Sequence, residues 1–123
     1  MKHRSRDVGT HWENIAGRFL TARGLSILTQ NYQCRLGEID LIALHHNELV
    51  FVEVRYRASG GFGSAAATVG AQKQAKILKA ARHFLMMQPQ YAELSMRLDV
   101  IAISGSQEAQ PVIRWIRSAF DGA

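Results

Sequence analysis

The sequence predicts an α/β domain in which helices cover a mixed β-sheet, with elements in the order α-β-β-β-α-β-β. Two stretches carry apolar residues at helical spacing, and five short runs carry the apolar and β-branched residues typical of strands. The longer predicted helix lies between two strand-like runs, which favours a crossover between parallel strands. A chain of 123 residues is long enough for one domain with a single core, which we expect over about residues 9 to 117.

The first half of the chain predicts one helix and three strands. Residues 8 to 23 place apolar side chains at helical spacing and precede Gly24, a residue type that commonly ends helices. Residues 25 to 33 predict a strand. Two apolar runs, at 36 to 44 and 48 to 57, flank a short turn-like HHNE segment. We therefore expect these two runs to pair as a hairpin.

The second half predicts one long helix and two further strands. A glycine-rich loop is expected at 58 to 65, followed by a helix over about 66 to 87 that ends before Pro89. Residues 97 to 104 and 112 to 117 read as the last two strands. The predicted sheet therefore has five strands, with helices packed on it.

Composition narrows the class of protein. The net charge of +5 and the pI of about 9.9 suit a polyanionic partner such as nucleic acid, although this support is weak by itself. Cys34 is the only cysteine, so an internal disulfide is excluded and a reducing cytoplasm is expected. We interpret Cys34 as a half-buried strand residue. No apolar run approaches the roughly 20 residues of a membrane helix. The pattern leaves a monomer and a homodimer equally open.

Charged residues inside two apolar runs are the most informative feature. Asp40, Glu53 and Arg55 lie in the predicted hairpin strands, where charges are costly unless they are paired or hold a metal. Alternate strand residues share a face, so Glu53 and Arg55 point the same way, and the hairpin brings Asp40 close to Glu53. Two carboxylates and a cation predict a magnesium-dependent phosphodiester-cleaving site. The alternatives are a buried Glu53–Arg55 ion pair and an Asp40 that faces water.

A further acid on the first helix can join this group. Glu13 shares a helix face with Ala16, Gly17 and Leu20, which is the side expected to meet the sheet. The alternative is a slightly rotated helix, in which Glu13 is a solvated acid of the first turn favoured by the helix dipole. Spacing alone does not decide between the two.

Four motifs carry a resemblance to a known family. They are GTHWENIA (9 to 16), NYQCRLGEIDLIA (31 to 43), LVFVEVRYR (49 to 57) and RLDVIAI (97 to 103). Together they resemble the YraN-like family of uncharacterised bacterial proteins, itself similar to the PD-(D/E)xK nuclease superfamily and to archaeal Holliday-junction resolvases. The resemblance implies a restriction-endonuclease-like fold and an endonuclease that cleaves DNA, including branched or damaged DNA.

The resemblance also implies roles for individual residues. Glu13, Asp40, Glu53 and Arg55 would form the catalytic group. Asp40 and Glu53 would hold Mg²⁺ or Mn²⁺, and Glu13, the third metal-site acid, would bind a water of that ion or orient the attacking water. The residue before Asp40 is Ile39, where the superfamily has proline, and this departure carries little weight.

Arg55 is the departure that matters, because the motif has lysine there. Arginine effectively cannot give up a proton, although it can bind a phosphate bidentately. This substitution motivates an alternative function, a nucleic-acid-binding module that keeps the nuclease fold with weak or no catalysis. Lys73, early in the second predicted helix, is the best candidate to replace the missing lysine.

Four polar side chains are expected to contact nucleic acid. They are Arg57, Gln72, Lys73 and Lys76. The two lysines begin a basic stripe that Lys79 and Arg82 continue, and such a stripe could follow a phosphate backbone. The alternative is an ordinary solvated face of the helix, and for most residues of the stripe we favour it.

Overall fold

The computed structural model of the chain describes residues 3–57, 69–105 and 110–119, with side chains of the first helix described from residue 10 onward. In chain order the elements are α1 (His3–Thr21), β1 (Ser26–Cys34), β2 (Gly37–His45), β3 (Glu48–Arg57), α2 (Ala71–Met87), a 3-10 turn (Pro89–Tyr91), β4 (Ser95–Ser104) and β5 (Val112–Ile116). The predicted order α-β-β-β-α-β-β is confirmed, and it is consistent with a restriction-endonuclease-like α/β fold.

One mixed sheet joins all five strands, in the spatial order β1-β2-β3-β4-β5. β3 and β4 run parallel and α2 connects them, while the other neighbours are antiparallel. The predicted crossover is therefore confirmed, and so is the β2–β3 hairpin. Among the described helices, none is long and apolar enough to cross a membrane.

The two helices pack on opposite faces of the sheet, and each face has its own apolar core. The α2 side buries Ile39, Ile42, Leu49, Phe51, Ile77, Ala80, Ala81, Phe84, Leu98, Val100 and Ala102. The α1 side buries Trp12, Ala16, Leu20, Leu25, Leu41, Ala43, Val50, Val52, Ile101 and Ile103. Because β3 and β4 contribute to both cores, they are apolar on both faces, as expected for strands at the centre of such a sheet.

Several predicted boundaries were wrong. α1 begins at His3 rather than residue 8, because the polar residues before 8 carry no apolar spacing to mark a helix. α2 begins at Ala71 rather than 66, since Gly70 is extended, with φ −68° and ψ 169°. His45 is not in the hairpin turn; it ends β2 and is buried. The predicted glycine-rich loop at 58 to 65 lies outside the described residues.

A buried polar cluster ties the end of the described chain to the sheet. Asp99 in β4 is fully buried and accepts hydrogen bonds from Arg97 Nε at 3.0 Å and from Trp115 Nε1 at 2.9 Å. The backbone N–H of Ser118 also donates to Asp99, at 3.0 Å. Arg97 in turn reaches Glu48 at the start of β3. One carboxylate therefore links β4, β5 and the turn after β5, and through Arg97 it links them to β3.

Asp99→Asn is expected to destabilise the protein by about 3 to 5 kcal/mol, because it removes the buried counter-charge of Arg97 and leaves that cation only the partly exposed Glu48. Urea unfolding followed by circular dichroism measures this loss. Glu48→Gln is the matched control, because Glu48 is the other acidic partner of Arg97. The Glu48 side chain is 40% exposed, so this variant should cost about 1 kcal/mol or less. Equal losses for the two variants would contradict the role assigned to Asp99.

Candidate active site

The site lies in a fork between β2 and β3. The two strands pair from His45 and Glu48 as far as Leu41 and Val52. Beyond that pair, the described register joins β2 only to β1, and β3 only to β4. The strands therefore diverge, and the next residues on the two arms of the fork are Asp40 and Glu53. The hairpin brings these two acids together, as the sequence predicts.

Asp40 lies where the regular alternation of β2 breaks. Leu41 packs in the core on the α1 side of the sheet, and Ile39 packs in the core on the α2 side. In a regular strand these two residues would share a face, because they are two positions apart. On the neighbouring strand β1, Asn31 lies between the partner of Leu41 and the partner of Ile39, and it has a left-handed φ of 61°. The Asp40 carboxylate accepts a hydrogen bond of 2.8 Å from the backbone N–H of Val54. A side chain thus replaces the missing strand partner inside the fork.

Glu53 is the acid with the most cationic contacts. Its side chain is only 5% exposed, and its Oε2 lies 3.6 Å from Arg55 Nη1 and 3.6 Å from Lys73 Nζ. The prediction that Glu53 and Arg55 share a face is confirmed. The structure also brings Lys73, from the first turn of α2, to the same carboxylate, so the buried ion pair considered from the sequence has a second cation.

Glu13 faces the sheet, and the solvated alternative is wrong. Its side chain is 8% exposed and interacts by hydrogen bonding with Asp40 and with Gln30 of β1. Its second oxygen, Oε1, is buried without a hydrogen-bond partner among the described residues. Such an orphan acceptor is costly unless water or a cation satisfies it. Sequence reasoning missed Gln30, which also donates to Asn14 Oδ1 at 2.9 Å, because an amide in a strand gives no pattern to detect.

The three acids have raised pKa values. Burial is the largest cause for Glu13 and Glu53 and the negative charge of Asp40 is the next, so each pKa rises to about 7. Burial also raises the pKa of Asp40, against the lowering effects of the Val54 N–H and Lys73. Glu13 and Glu53 are therefore partly protonated near neutral pH. A cation placed among them would favour their ionised forms.

The donor set suits a hydrated divalent cation. Within the described ranges no group of three or more histidine, cysteine, aspartate and glutamate side chains is already arranged to hold a metal ion. The carboxylates instead contact one another, Arg55 and Lys73. Mg²⁺ keeps several waters and needs only one or two carboxylates from the protein. Oxygen donors, raised pKa values and the orphan Glu13 Oε1 together fit such an ion.

A tight contact between α2 and β2 positions Lys73. Gly37, at the start of β2, lies so close to α2 that an added Cβ would be 2.9 Å from the Lys76 carbonyl oxygen. The helix begins next to this contact, where the Gln74 side chain donates to the Val69 carbonyl at 2.7 Å. Lys73 lies one turn before Lys76, and from there its ammonium reaches Glu53.

The four residues expected to contact nucleic acid occupy different places. Lys73 contacts the acids, and Lys76 is exposed one turn further along α2. Arg57 is exposed at the end of β3. Gln72 is exposed beside Lys73 in the first turn of α2.

Aromatic stacking holds α1 against β3 beside the site. Trp12 and Tyr56 stack with ring centroids 4.0 Å apart and an angle of 13° between their planes. Trp12 is 3% exposed and belongs to the core on the α1 side of the sheet. Because it directly precedes Glu13, and Tyr56 directly follows Arg55, the stack fixes the two elements that carry these charged groups.

Comparison with known proteins places the chain in a family. The model of the uncharacterised protein family UPF0102 matches residues 12–103. The chain belongs to the UPF0102 family. A UPF0102 protein of Saccharophagus degradans is 49% identical over 93% of this chain and 92% of its own length. One from Nitrosomonas europaea is 44% identical over 92% of each chain, and one from Aeromonas hydrophila is 49% identical over 91% of this chain and 83% of its own.

Membership of UPF0102 confirms the family half of the sequence resemblance, since this is the YraN-like family. The matched segment contains every acid and cation of the fork, from Glu13 to Lys73. It ends at Ile103, within β4, and so also includes the buried pair formed by Arg97 and Asp99. The names of these relatives state the family and no activity.

The raised pKa of Glu13 predicts a pH-dependent stability. Because the pKa rises from 4.5 to about 7 on folding, its contribution is fully present below pH 4.5 and is lost as the pH rises through 7. Glu13→Gln removes this loss. The stability of the variant relative to the wild-type protein should therefore increase by about 2 to 3 kcal/mol between pH 5 and pH 8.

Urea unfolding at several pH values measures this difference. Glu93→Gln, at an exposed position after the 3-10 turn, is the matched control and should show the wild-type pH profile. His45 is present in all three proteins, so its titration cancels in the comparison. A constant difference between Glu13→Gln and wild type from pH 5 to 8 would contradict the assignment.

Proposed function

We propose that this UPF0102 protein is a divalent-metal-dependent endonuclease of the PD-(D/E)xK type that cleaves phosphodiester bonds in DNA in the cytoplasm. The observation that carries the proposal is the meeting of three carboxyl groups, Glu13, Asp40 and Glu53, with Lys73 in one strand fork. A purely structural role does not require three carboxyl groups in contact, whereas a site for a divalent cation needs closely spaced oxygen ligands.

Each acid has a role that follows from its surroundings. Asp40 and Glu53 would hold Mg²⁺ or Mn²⁺, since they occupy the two arms of the fork. When bound, the ion supplies a Lewis acid for the scissile phosphate and lowers the pKa of a water. Glu13, with one buried oxygen unpartnered, orients the attacking water through that oxygen.

Arg55 and Lys73 together would fill the role that the PD-(D/E)xK motif gives to one lysine. Arg55 keeps its positive charge and can bind a phosphate oxygen, but it cannot transfer a proton. Lys73 approaches the same Glu53 oxygen from α2 and carries a transferable proton. Lys73 thus orients the nucleophilic water or donates to the departing oxygen, while Arg55 neutralises the phosphate.

DNA fits this site better than a small phosphoester does. The chain carries a net charge of +5, and two exposed cations lie on elements that carry site residues, Lys76 on α2 and Arg57 at the end of β3. Exposed cations near a cleavage centre can bind neighbouring phosphates of a strand. Branched and damaged DNA are the substrates that we place first, and a monomer or a homodimer could act on them.

Arg55 favours a second candidate function. A guanidinium 3.6 Å from Glu53 offsets the negative charge that would otherwise attract a divalent ion. In that case the protein is a nucleic-acid-binding module that keeps the nuclease fold with little or no catalysis. The two candidates differ in metal-dependent cleavage and agree in salt-dependent binding.

Cleavage assays with variants of the fork test the proposal. Labelled branched, single-stranded and duplex DNA are incubated with the protein in Mg²⁺ and in Mn²⁺. Glu53→Ala should abolish cleavage, and Lys73→Met should reduce its rate about 100-fold or more, the usual contribution of a positioned proton donor or acceptor. Lys79→Met is the matched control, because Lys79 is exposed on the same helix, and it should retain nearly full activity.

The outcomes separate the two candidates. Cleavage that survives Glu53→Ala belongs to a contaminant and contradicts the proposal. Salt-sensitive DNA binding without metal-dependent cleavage supports the binding module. Equal losses for Lys73→Met and Lys79→Met would remove the special role of Lys73 and leave only general attraction of DNA.

Arg55→Lys is expected to increase cleavage severalfold, because a second transferable proton replaces a permanent charge at the same carboxylate. Initial rates at saturating DNA measure the change in cleavage. Arg57→Lys, two positions further along β3, is the matched control. An unchanged rate for Arg55→Lys would show that Arg55 does not limit catalysis. A fall to the level of Lys73→Met would mean that the guanidinium itself binds the phosphate in the reaction.

A further inference from the structure

A polar cleft adjoins the fork on the side of α2. It has a volume of about 360 Å³ and lies between the β1–β2 turn and the helix. The lining residues are Gln33, Cys34, Arg35, Leu36, Gly37, Glu38 and Lys76. Glu38 and Asp40 are two positions apart along β2, a rise of about 7 Å in an extended strand. The negative charge of Glu38 also contributes to the raised pKa of both Asp40 and Glu13. The cleft is therefore the immediate neighbour of the carboxylates.

We propose that this cleft holds one unpaired nucleotide next to the phosphodiester that the fork cleaves. The inference rests on the proposed function and specifies its substrate class: a strand with a nucleotide outside the double helix, as at a bulge, flap or junction. A volume near the lower end of ligand-binding pockets accommodates one nucleotide and not a base pair.

The cations of the cleft suit the phosphate of such a nucleotide. Lys76 lies one helical turn after Lys73, so the two ammonium groups lead from the carboxylates into the cleft. Arg35, in the β1–β2 turn, adds a guanidinium that can bind a phosphate bidentately. A strand with one phosphate at the fork can therefore present its neighbouring phosphate to these two side chains.

The other lining residues suit a base. Leu36 is 48% exposed in the β1–β2 turn and lines the cleft. Apolar side chains of this kind insert between or against bases and separate them from their neighbours. Gln33 and Glu38 supply amide and carboxylate groups that can bond the edge of an unpaired base, with Glu38 as an acceptor for an amino group. Its negative charge also disfavours a phosphate at its end of the cleft.

Cys34 provides a local reporter of occupancy. It is the only cysteine of the chain, it lines the cleft, and it is partly exposed. The probes are a fully paired DNA duplex and the same duplex with one unpaired nucleotide, in Ca²⁺ and in EDTA. The measurements are the binding affinity from fluorescence anisotropy and the rate at which iodoacetamide alkylates Cys34.

The wild-type protein should bind the DNA with the unpaired nucleotide about tenfold more tightly than the paired duplex, and only that DNA should slow alkylation of Cys34. Leu36→Ser should remove most of this preference. Arg35→Ala combined with Lys76→Ala should remove it and lower the salt dependence of log K by about 1 to 2. The matched control is Lys79→Ala combined with Arg82→Ala, which removes two cations of α2 outside the cleft and should weaken both DNAs equally.

Equal affinity of the wild-type protein for the two DNAs would overturn the inference, and so would unchanged alkylation of Cys34 on binding. The inference would also be overturned if the double variant of Lys79 and Arg82 lost the preference as fully as the double variant of Arg35 and Lys76. None of these measurements needs cleavage. If cleavage is absent but the preference depends on the cleft, the proposed activity fails and the nucleotide site stands. If Glu53-dependent cleavage occurs without such a preference, the nucleotide site fails and the activity stands.

Discussion

The hydrogen bond from the Val54 N–H to the Asp40 carboxylate is the contact on which the rest of the site depends. β2 and β3 separate after Leu41 and Val52, and a separated strand leaves backbone groups that must find other partners. Asp40 supplies one of those partners from its side chain. The same contact fixes its carboxylate inside the fork, where it faces Glu53 on one arm and Glu13 of α1.

The buried acids of the fork are held together by packing contacts that do not involve their charges. Burial disfavours the ionised forms of the three acids and raises their pKa values, and the negative charge of Asp40 adds to the rise at Glu13 and Glu53. The surrounding fold holds them in place regardless. The Trp12–Tyr56 stack fixes α1 against β3, and the contact of Gly37 with α2 brings Lys73 to Glu53. Perturbed pKa values cluster at functional sites, although structural ion-pair networks shift them too.

The second buried polar cluster shows the contrast. Asp99 accepts hydrogen bonds from Arg97, Trp115 and the Ser118 N–H, so its charge is fully matched by donors. In the fork, by comparison, Glu13 Oε1 has no hydrogen-bond partner among the described residues. The sequence places Asp99 and Asp40 in similar apolar strands, and nothing in the local pattern distinguishes them. Only the donors that surround each carboxylate separate a structural acid from a candidate catalytic one.

The sequence by itself determined the order of the elements, the β2–β3 hairpin and the proximity of Asp40 to Glu53. These follow from apolar spacing and from a hairpin short enough to fix its own register. It could not decide the rotation of α1, so Glu13 was left between the sheet and water, nor could it detect the irregularity at Asp40. Tertiary structure decided both, together with the approach of Lys73. These depend on how helices pack on a twisted sheet and on where two strands part, and such contacts join residues distant in the chain.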